Sequence, residues 1–372
     1  MDHRLALVAL IVAAMASPAF AQEDVPFVQP DTATVYAPYP GRAFPNQVLF
    51  GDTHLHTTYS ADAGLIGNVL GPDDAYRFAK GETVTSSTGV PAKLARPLDF
   101  LVVTDHAENL GIAPMLAERD PRLLETDYGR ALLEAIDAGD LPGAWEIFSL
   151  TKASGDDPLA DVPGVYDSIW QRITAAAERH NTPGAFTAMI GFEWTSAFER
   201  NNLHRNVLYR GGKDTADSRL PFSAYDSIDP EDLWDWMERY EAETGDRLLA
   251  IPHNGNLSNG LMFDAVKLGS DEPLDAAYAE RRARFEPLYE VTQMKGDGEA
   301  HPALSPEDAF ADFETWDKGQ LGPAPKTPDM LPREYAREAL KRGLAYEASL
   351  GANPFKFGMI GATDSHTSLS SA

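Results

Sequence analysis

The 372 residues contain no cysteine and carry a net charge of −26. That excludes a disulfide framework and a thiolate metal site, and leaves nitrogen and oxygen as the ligand atoms for any metal. The charge also argues against a nucleic-acid partner, which needs a basic face, and against a bare anionic substrate unless bound cations reverse the field locally.

In chain order, residues 1–21 read as a cleavable signal peptide. Arg4 precedes an apolar run from Leu5 to Ala16, and Ala19-Phe20-Ala21 supplies an A-x-A cleavage site before Gln22. The apolar run, about a dozen residues, is too short to span a bilayer. The expected mature protein is therefore soluble, periplasmic or secreted, and has no membrane anchor. Residues 22–47, rich in proline and polar groups, read as an extended lead-in to one barrel-sized domain over 48–372.

Within that domain the strand candidates are Val48–Gly51, Leu98–Thr104, Phe186–Phe192, Leu203–Tyr209, Arg247–Ile251, Leu288–Gln293 and Phe357–Ala362. Helices are expected over Val165–His180, Pro230–Glu243, Pro306–Asp317 and Pro332–Leu350. Asp229-Pro230-Glu231-Asp232 and Ser305-Pro306-Glu307-Asp308 carry full start signals: a capping oxygen, proline at the first helical position and acid in the first turn. Segments 64–96 and 110–165 read as insertions. Strands separated by helices predict an α/β fold with a mostly parallel sheet, and seven strands fit a barrel better than an open six-stranded sheet.

Histidines and acids follow the strand candidates. "VLFGDTHLH" ends in His54 and His56, "LDFLVVTDH" in Asp105 and His106, and "FTAMIGFEW" carries Glu193 near its end. "NLHRNVLYR" contains His204, "RLLAIPHN" ends with His253, and "FGMIGATDSH" ends with Asp364 and His366. Parallel α/β folds gather chemistry at the carboxyl ends of strands. Residues two apart on a strand share a face, so His54 with His56, and Asp364 with His366, form pairs able to chelate one ion. A lone H-x-H pair is more often two hydrogen-bonded core or rim histidines. Of the nine histidines, however, only His3, His180 and His301 lie away from strand ends. His180 reads as a helix-closing cation and His301 as a solvated loop residue. Imidazole with carboxylate suits Zn, Mn or Fe(II).

"HLH", "TDH", "GFEW", "PHN" and "TDSH", in this order, resemble the polymerase-and-histidinol-phosphatase (PHP) superfamily of trinuclear metallohydrolases. "FGDTHLHTTYSADA", "TDHAENLG", "HRNVLYR" and "IPHNGNLS" resemble more closely an exported PHP-like group of undefined function. The resemblance spans Val48 to Thr367 and implies a distorted TIM-like (β/α)7 barrel with inserted loops and helices. It also implies two or three divalent ions: one held by His54, His56, Glu193 and Asp364, a second by Glu193, His204 and His253, and a third by Asp62, His106 and His366. Asp62 stands where the superfamily often has a histidine, and His204 follows Glu193 at a shorter spacing than the superfamily's.

The implied reaction is hydrolysis of a small anionic ester, first of all a phosphoester, by metal-activated water. Sulfate ester, amide or lactone hydrolysis is an alternative on the same centre, and metal binding without catalysis is another. Asp105 and Asp52 read as hydrogen-bond partners that orient imidazoles. Arg205 reads either as an anion clamp or as a surface ion pair, and Lys295 as a substrate contact past a strand end. The chain stops six residues after His366, without the helix that normally closes a barrel, so a C-terminal truncation is expected.

Overall fold

The computed structural model describes residues 48–318 and 325–370. The signal-peptide and lead-in readings, on residues 1–47, lie outside the described residues. Among those described, no helix is long and apolar enough to cross a membrane.

Each expected apolar run contains or overlaps a strand: β1 (Gly51–Asp52), β2 (Phe100–Val103), β3 (Thr187–Trp194), β4 (Arg205–Tyr209), β5 (Leu248–Pro252), β6 (Leu288–Gln293) and β7 (Gly358–Gly361). The first five pair in that order in one sheet, curled into half a barrel. β6 and β7 pair in parallel in a second sheet, which the short strand Gly296–Asp297 extends. The sheets meet where Leu55, beyond β1, pairs in parallel with Ser365, beyond β7. Among the described residues no ladder joins β5 to β6, so hydrogen bonds do not close the seven strands into a complete barrel.

The expectation of a mostly parallel sheet holds except at β4. β1, β2 and β3 run parallel, but β4 is antiparallel to both β3 and β5. A parallel return needs a crossover of a dozen or more residues, usually helical, whereas an antiparallel return needs only a short loop. Residues 195–204 supply such a loop, and it brings His204 back beside the end of β3.

Helices α1 (Pro72–Ala79), α2 (Val165–His180), α3 (Pro230–Thr244), α4 (Ala276–Phe285) and α5 (Ala336–Leu350) back the strands. In α2, Ile169, Trp170, Ile173, Ala176 and Ala177 form the buried stripe, the spacing of an amphipathic helix. In α3 the Asp229 carboxylate accepts from the Glu231 amide at 2.8 Å, Pro230 takes the first position, and Gly245 at φ 72° ends the helix. The indole N–H groups of the buried Trp170, Trp194 and Trp234 all find acceptors: the carbonyls of Ala216 and Ser227, and Glu286.

Two helix readings are corrected. Pro306–Asp317 is a run of turns despite its start signal. Phe310 and Phe313 face solvent there, so no apolar stripe is buried to stabilise a helix. Segment 64–96 is not merely an insertion, because it contains α1. Tyr76 and Phe78 of α1 are core residues, and the Tyr76 hydroxyl donates to the Met189 carbonyl on β3. His180 closes α2 as expected, with Nε2 3.0 Å from Asp73 in the first turn of α1. His301 is buried rather than solvated, with Nε2 3.2 Å from Asp317.

Candidate metal centre

Strand ends and the segments that follow them deliver nine side chains to one place, Asp62 from the short helix Ala61–Leu65. His54 and His56 lie just past β1, and their Nε2 atoms are 3.1 Å apart, the convergence that alternation along an extended segment gives. Glu193, near the end of β3, puts Oε2 3.2 Å from His54 Nε2 and 3.1 Å from His56 Nε2. Asp364 Oδ1 lies 3.2 and 3.1 Å from the same two nitrogens. Asp364 and His366 do not share a strand face as expected. β7 ends at Gly361 and Asp364 has φ 52°, a left-handed turn that aspartate tolerates better than most residues.

The other carboxylate oxygen of Glu193 points to a second group, with Oε1 2.7 Å from His204 Nδ1 and 3.3 Å from His253 Nε2. Asp62 makes a third. Its Oδ2 is 3.2 Å from both His106 Nε2 and His366 Nε2. The carboxylate standing where a histidine is common therefore sits between the two imidazoles expected to share its ion.

The donor set suits divalent cations. Five of the six separations among His54 Nε2, His56 Nε2, Glu193 Oε2 and Asp364 Oδ1 are 3.1–3.2 Å. A point equidistant from the corners of a tetrahedron of that edge lies about 2 Å from each, the length of a Zn–N or Zn–O bond. Glu193 Oε1 and Asp364 Oδ1 are buried and accept no hydrogen bond of ordinary geometry. Both face imidazole nitrogens at 2.7–3.3 Å, and a cation would serve oxygens and rings together. Three triads can each bring their ligand atoms within 4.8 Å of one another: His54–His56–Asp364, His54–Glu193–His253 and His56–His106–His366. These buried groups could hold a metal ion.

Without a cation, protons and charge pairs take its place. Burial alone would raise the carboxyls of Glu193, Asp364 and Asp62, but the surrounding imidazoles hold all three well below the usual carboxylate range, with Lys295 assisting at Asp364. Burial would lower His54 and His56. Asp364 and Glu193 outweigh it, together with Glu290 at His54, so His56 is pushed up to about 9 and His54 lies well above its ordinary value. Burial and the charge on His56 push His366 down.

A model of the family described as "Protein of unknown function (DUF3604)" matches residues 43–372. The chain belongs to the DUF3604 family. No curated protein matches it.

The supporting residues of this DUF3604 protein differ from those expected. Asp105 does not touch an imidazole. It accepts from the Thr57 amide at 2.6 Å, the Thr57 hydroxyl at 2.8 Å and the Ser60 hydroxyl at 2.9 Å, and Ser60 Oγ in turn meets His56 Nδ1 at 2.8 Å. Asp52 holds the His54 main chain rather than its ring, accepting from the amides of His54 and Thr363 at 3.1 Å and from the Thr363 hydroxyl at 2.5 Å. Arg205 is neither an anion clamp at the centre nor a surface pair. It faces away from Glu193 and is buried, with Nε 3.0 Å from Glu286. Lys295 does reach the centre, pairing with Asp364 Oδ2, which also accepts from Gln293 Nε2 at 2.5 Å.

The DUF3604 centre also uses Glu290, Ser60 and Thr195, which the sequence reading missed. Both Glu290 oxygens lie 3.1 Å from His54 Nδ1, and Thr195 Oγ1 is 2.6 Å from His106 Nδ1. The one local signal for Glu290 is an acid inside the otherwise apolar run "LYEV".

Proposed function

We propose that this DUF3604 protein is an exported metal-dependent hydrolase of the PHP type, acting first of all on small phosphoesters with two or three Zn, Mn or Fe ions. The observation that carries the reading is Glu193, whose two oxygens face two different sets of imidazoles. A carrier of one ion needs one closed site, whereas a carboxylate shared between two groups of imidazoles would hold two cations side by side, the arrangement that supports ester hydrolysis. The resemblance in motif order and the curled half-barrel support extending the fold to a distorted seven-stranded barrel.

Divalent ions held by these histidines and carboxylates would supply Lewis acidity toward the ester and toward water near neutral pH. The chain's own residues do the rest. His54, His56, Glu193, His253 and Asp364 are sealed from solvent, while Asp62, His106, His204, His366 and Lys295 keep partial exposure. The ester therefore approaches from that second side. Lys295, paired with Asp364 at the solvent edge, would neutralise an anionic oxygen of the substrate. Ser60 and Thr195 fix the rings of His56 and His106, so ligand geometry does not relax as the ester's charge is redistributed.

The test uses the full chain loaded separately with Zn, Mn and Fe(II), and assayed on p-nitrophenyl phosphate, its diester, p-nitrophenyl sulfate, and amide and lactone substrates. Phosphoester turnover that a chelator abolishes and the metal restores supports the reading. Turnover of only the sulfate, amide or lactone replaces the substrate class. Bound metal with no turnover on any of them leaves a metal-binding protein and overturns it.

A further inference from the structure

His54 differs from the other imidazoles of the centre in what stands behind it. Its Nδ1 meets both oxygens of Glu290 at 3.1 Å, and the pair is buried. The nearest groups behind His56, His106 and His366 are neutral, Ser60 Oγ at 2.8 Å, Thr195 Oγ1 at 2.6 Å and the Asp364 carbonyl at 2.9 Å, with a single carboxylate oxygen farther off at 3.5 Å from His106 Nδ1 (Glu193) and from His366 Nδ1 (Asp364). Glu290 lies on β6, paired with Ile360 of β7, so a rigid ladder carries it rather than a loop.

A carboxylate has acceptor oxygens only, so it fixes the neutral imidazole with its proton on Nδ1 and its lone pair on Nε2. Nε2 is the atom facing His56, Glu193 and Asp364. The carboxylate also makes that nitrogen a stronger donor, an effect that burial protects from screening. Charge points the same way. Glu193, Asp364 and Glu290, with Lys295 paired to Asp364, leave two net negative charges around the His54–His56 position, the complement of one divalent ion.

We propose that Glu290 is a positioning residue that makes the His54–His56–Glu193–Asp364 position the tightest of the metal sites, first to fill and last to empty. This rests on the reading that the centre holds divalent ions, but not on what it hydrolyses. The sites completed by His204 with His253, and by Asp62 with His106 and His366, then exchange their ions more readily.

The experiment titrates the metal-free full chain with Zn, and separately with Mn, against a chelating dye, comparing wild type with Glu290→Gln and Glu290→Asp. Metal-free unfolding curves control for folding. The glutamine keeps the shape and an acceptor but removes the charge. It is expected to weaken the tightest ion about ten- to a hundredfold while leaving the weaker ions in place. The aspartate keeps the charge and is expected to retain more of the affinity than the glutamine. Tightest-ion affinity in Glu290→Gln equal to wild type overturns the inference while leaving the hydrolase reading intact, and so does uniform weakening of all ions. Should Glu290→Gln fail to fold, Glu290→Asp decides: selective weakening of the tightest ion supports the inference, and unchanged or uniformly weakened binding overturns it. A wild type that binds no ion overturns both readings, and one that binds ions without turnover overturns the hydrolase alone.

Discussion

Asp105 grips Thr57 twice, through the amide at 2.6 Å and the hydroxyl at 2.8 Å, and so clamps the chain that carries His56 without touching an imidazole. With Ser60 it satisfies three buried donors. Asp105→Ala strands all three, and each buried donor left unmatched costs on the order of 1–3 kcal/mol. The expected outcome is a loss of about 3 kcal/mol or more in urea unfolding of the metal-free protein, with weaker metal binding through His56. A variant as stable as wild type would remove the clamp from the account.

Glu193→Gln keeps the shape of the shared carboxylate but removes its charge and half of its acceptors. Because Glu193 faces two groups of imidazoles, both adjoining sites should weaken together. Metal content by elemental analysis is expected to fall by at least one ion per chain. Ester turnover is expected to fall by more than about a hundredfold, beyond the usual cost of losing an outer partner. An unchanged ion count would mean that Glu193 joins nothing.

The meeting place of residues at the ends of apolar runs was legible. His54, His56, Glu193 and His253 converge as the polar ends of apolar runs predict, while Asp364 joins them from a turn past its strand. Strand direction was not legible, because a short apolar run reads the same in either sense. His204, close in sequence to Glu193, makes sense only once β4 returns antiparallel. Pro306–Asp317 had a start signal without a buried stripe, and the start signal alone does not make a helix. Glu290 was hidden for another reason. Its partner lies far away in the chain, and an acid on a strand ordinarily reads as a solvent-facing position.

Protons compete with metal for the imidazoles. In the metal-free protein His56 is pushed up to about 9, and His54 also lies well above its ordinary value. Raised values mean that the folded state binds these protons more tightly than the unfolded chain does. The stabilisation is complete below about 6.5, the unfolded value, and is lost as pH rises through about 9. Denaturant unfolding of the metal-free protein should therefore show stability falling across that window. Metal affinity should rise over the same window, with proton release on binding that calorimetry in buffers of different ionisation enthalpy detects. Affinity independent of pH there would show that the imidazoles are already neutral.

Arg205 separates structure from chemistry. Its guanidinium lies 3.0 Å from Glu286 and 5.7 Å from the centroid of the Trp194 ring, and Glu286 also meets Arg282 at 3.0 Å and the Trp234 indole at 3.1 Å. Breaking a buried ion pair by removing one partner costs about 3–5 kcal/mol. Arg282 remains to neutralise Glu286, so Arg205→Met should fall toward the low end of that range, read as a shift in the denaturation midpoint. Because the side chain faces away from Glu193, metal affinity and the KM for a phosphoester should change far less than stability. A variant with wild-type stability and a raised KM would return Arg205 to the role of an anion clamp.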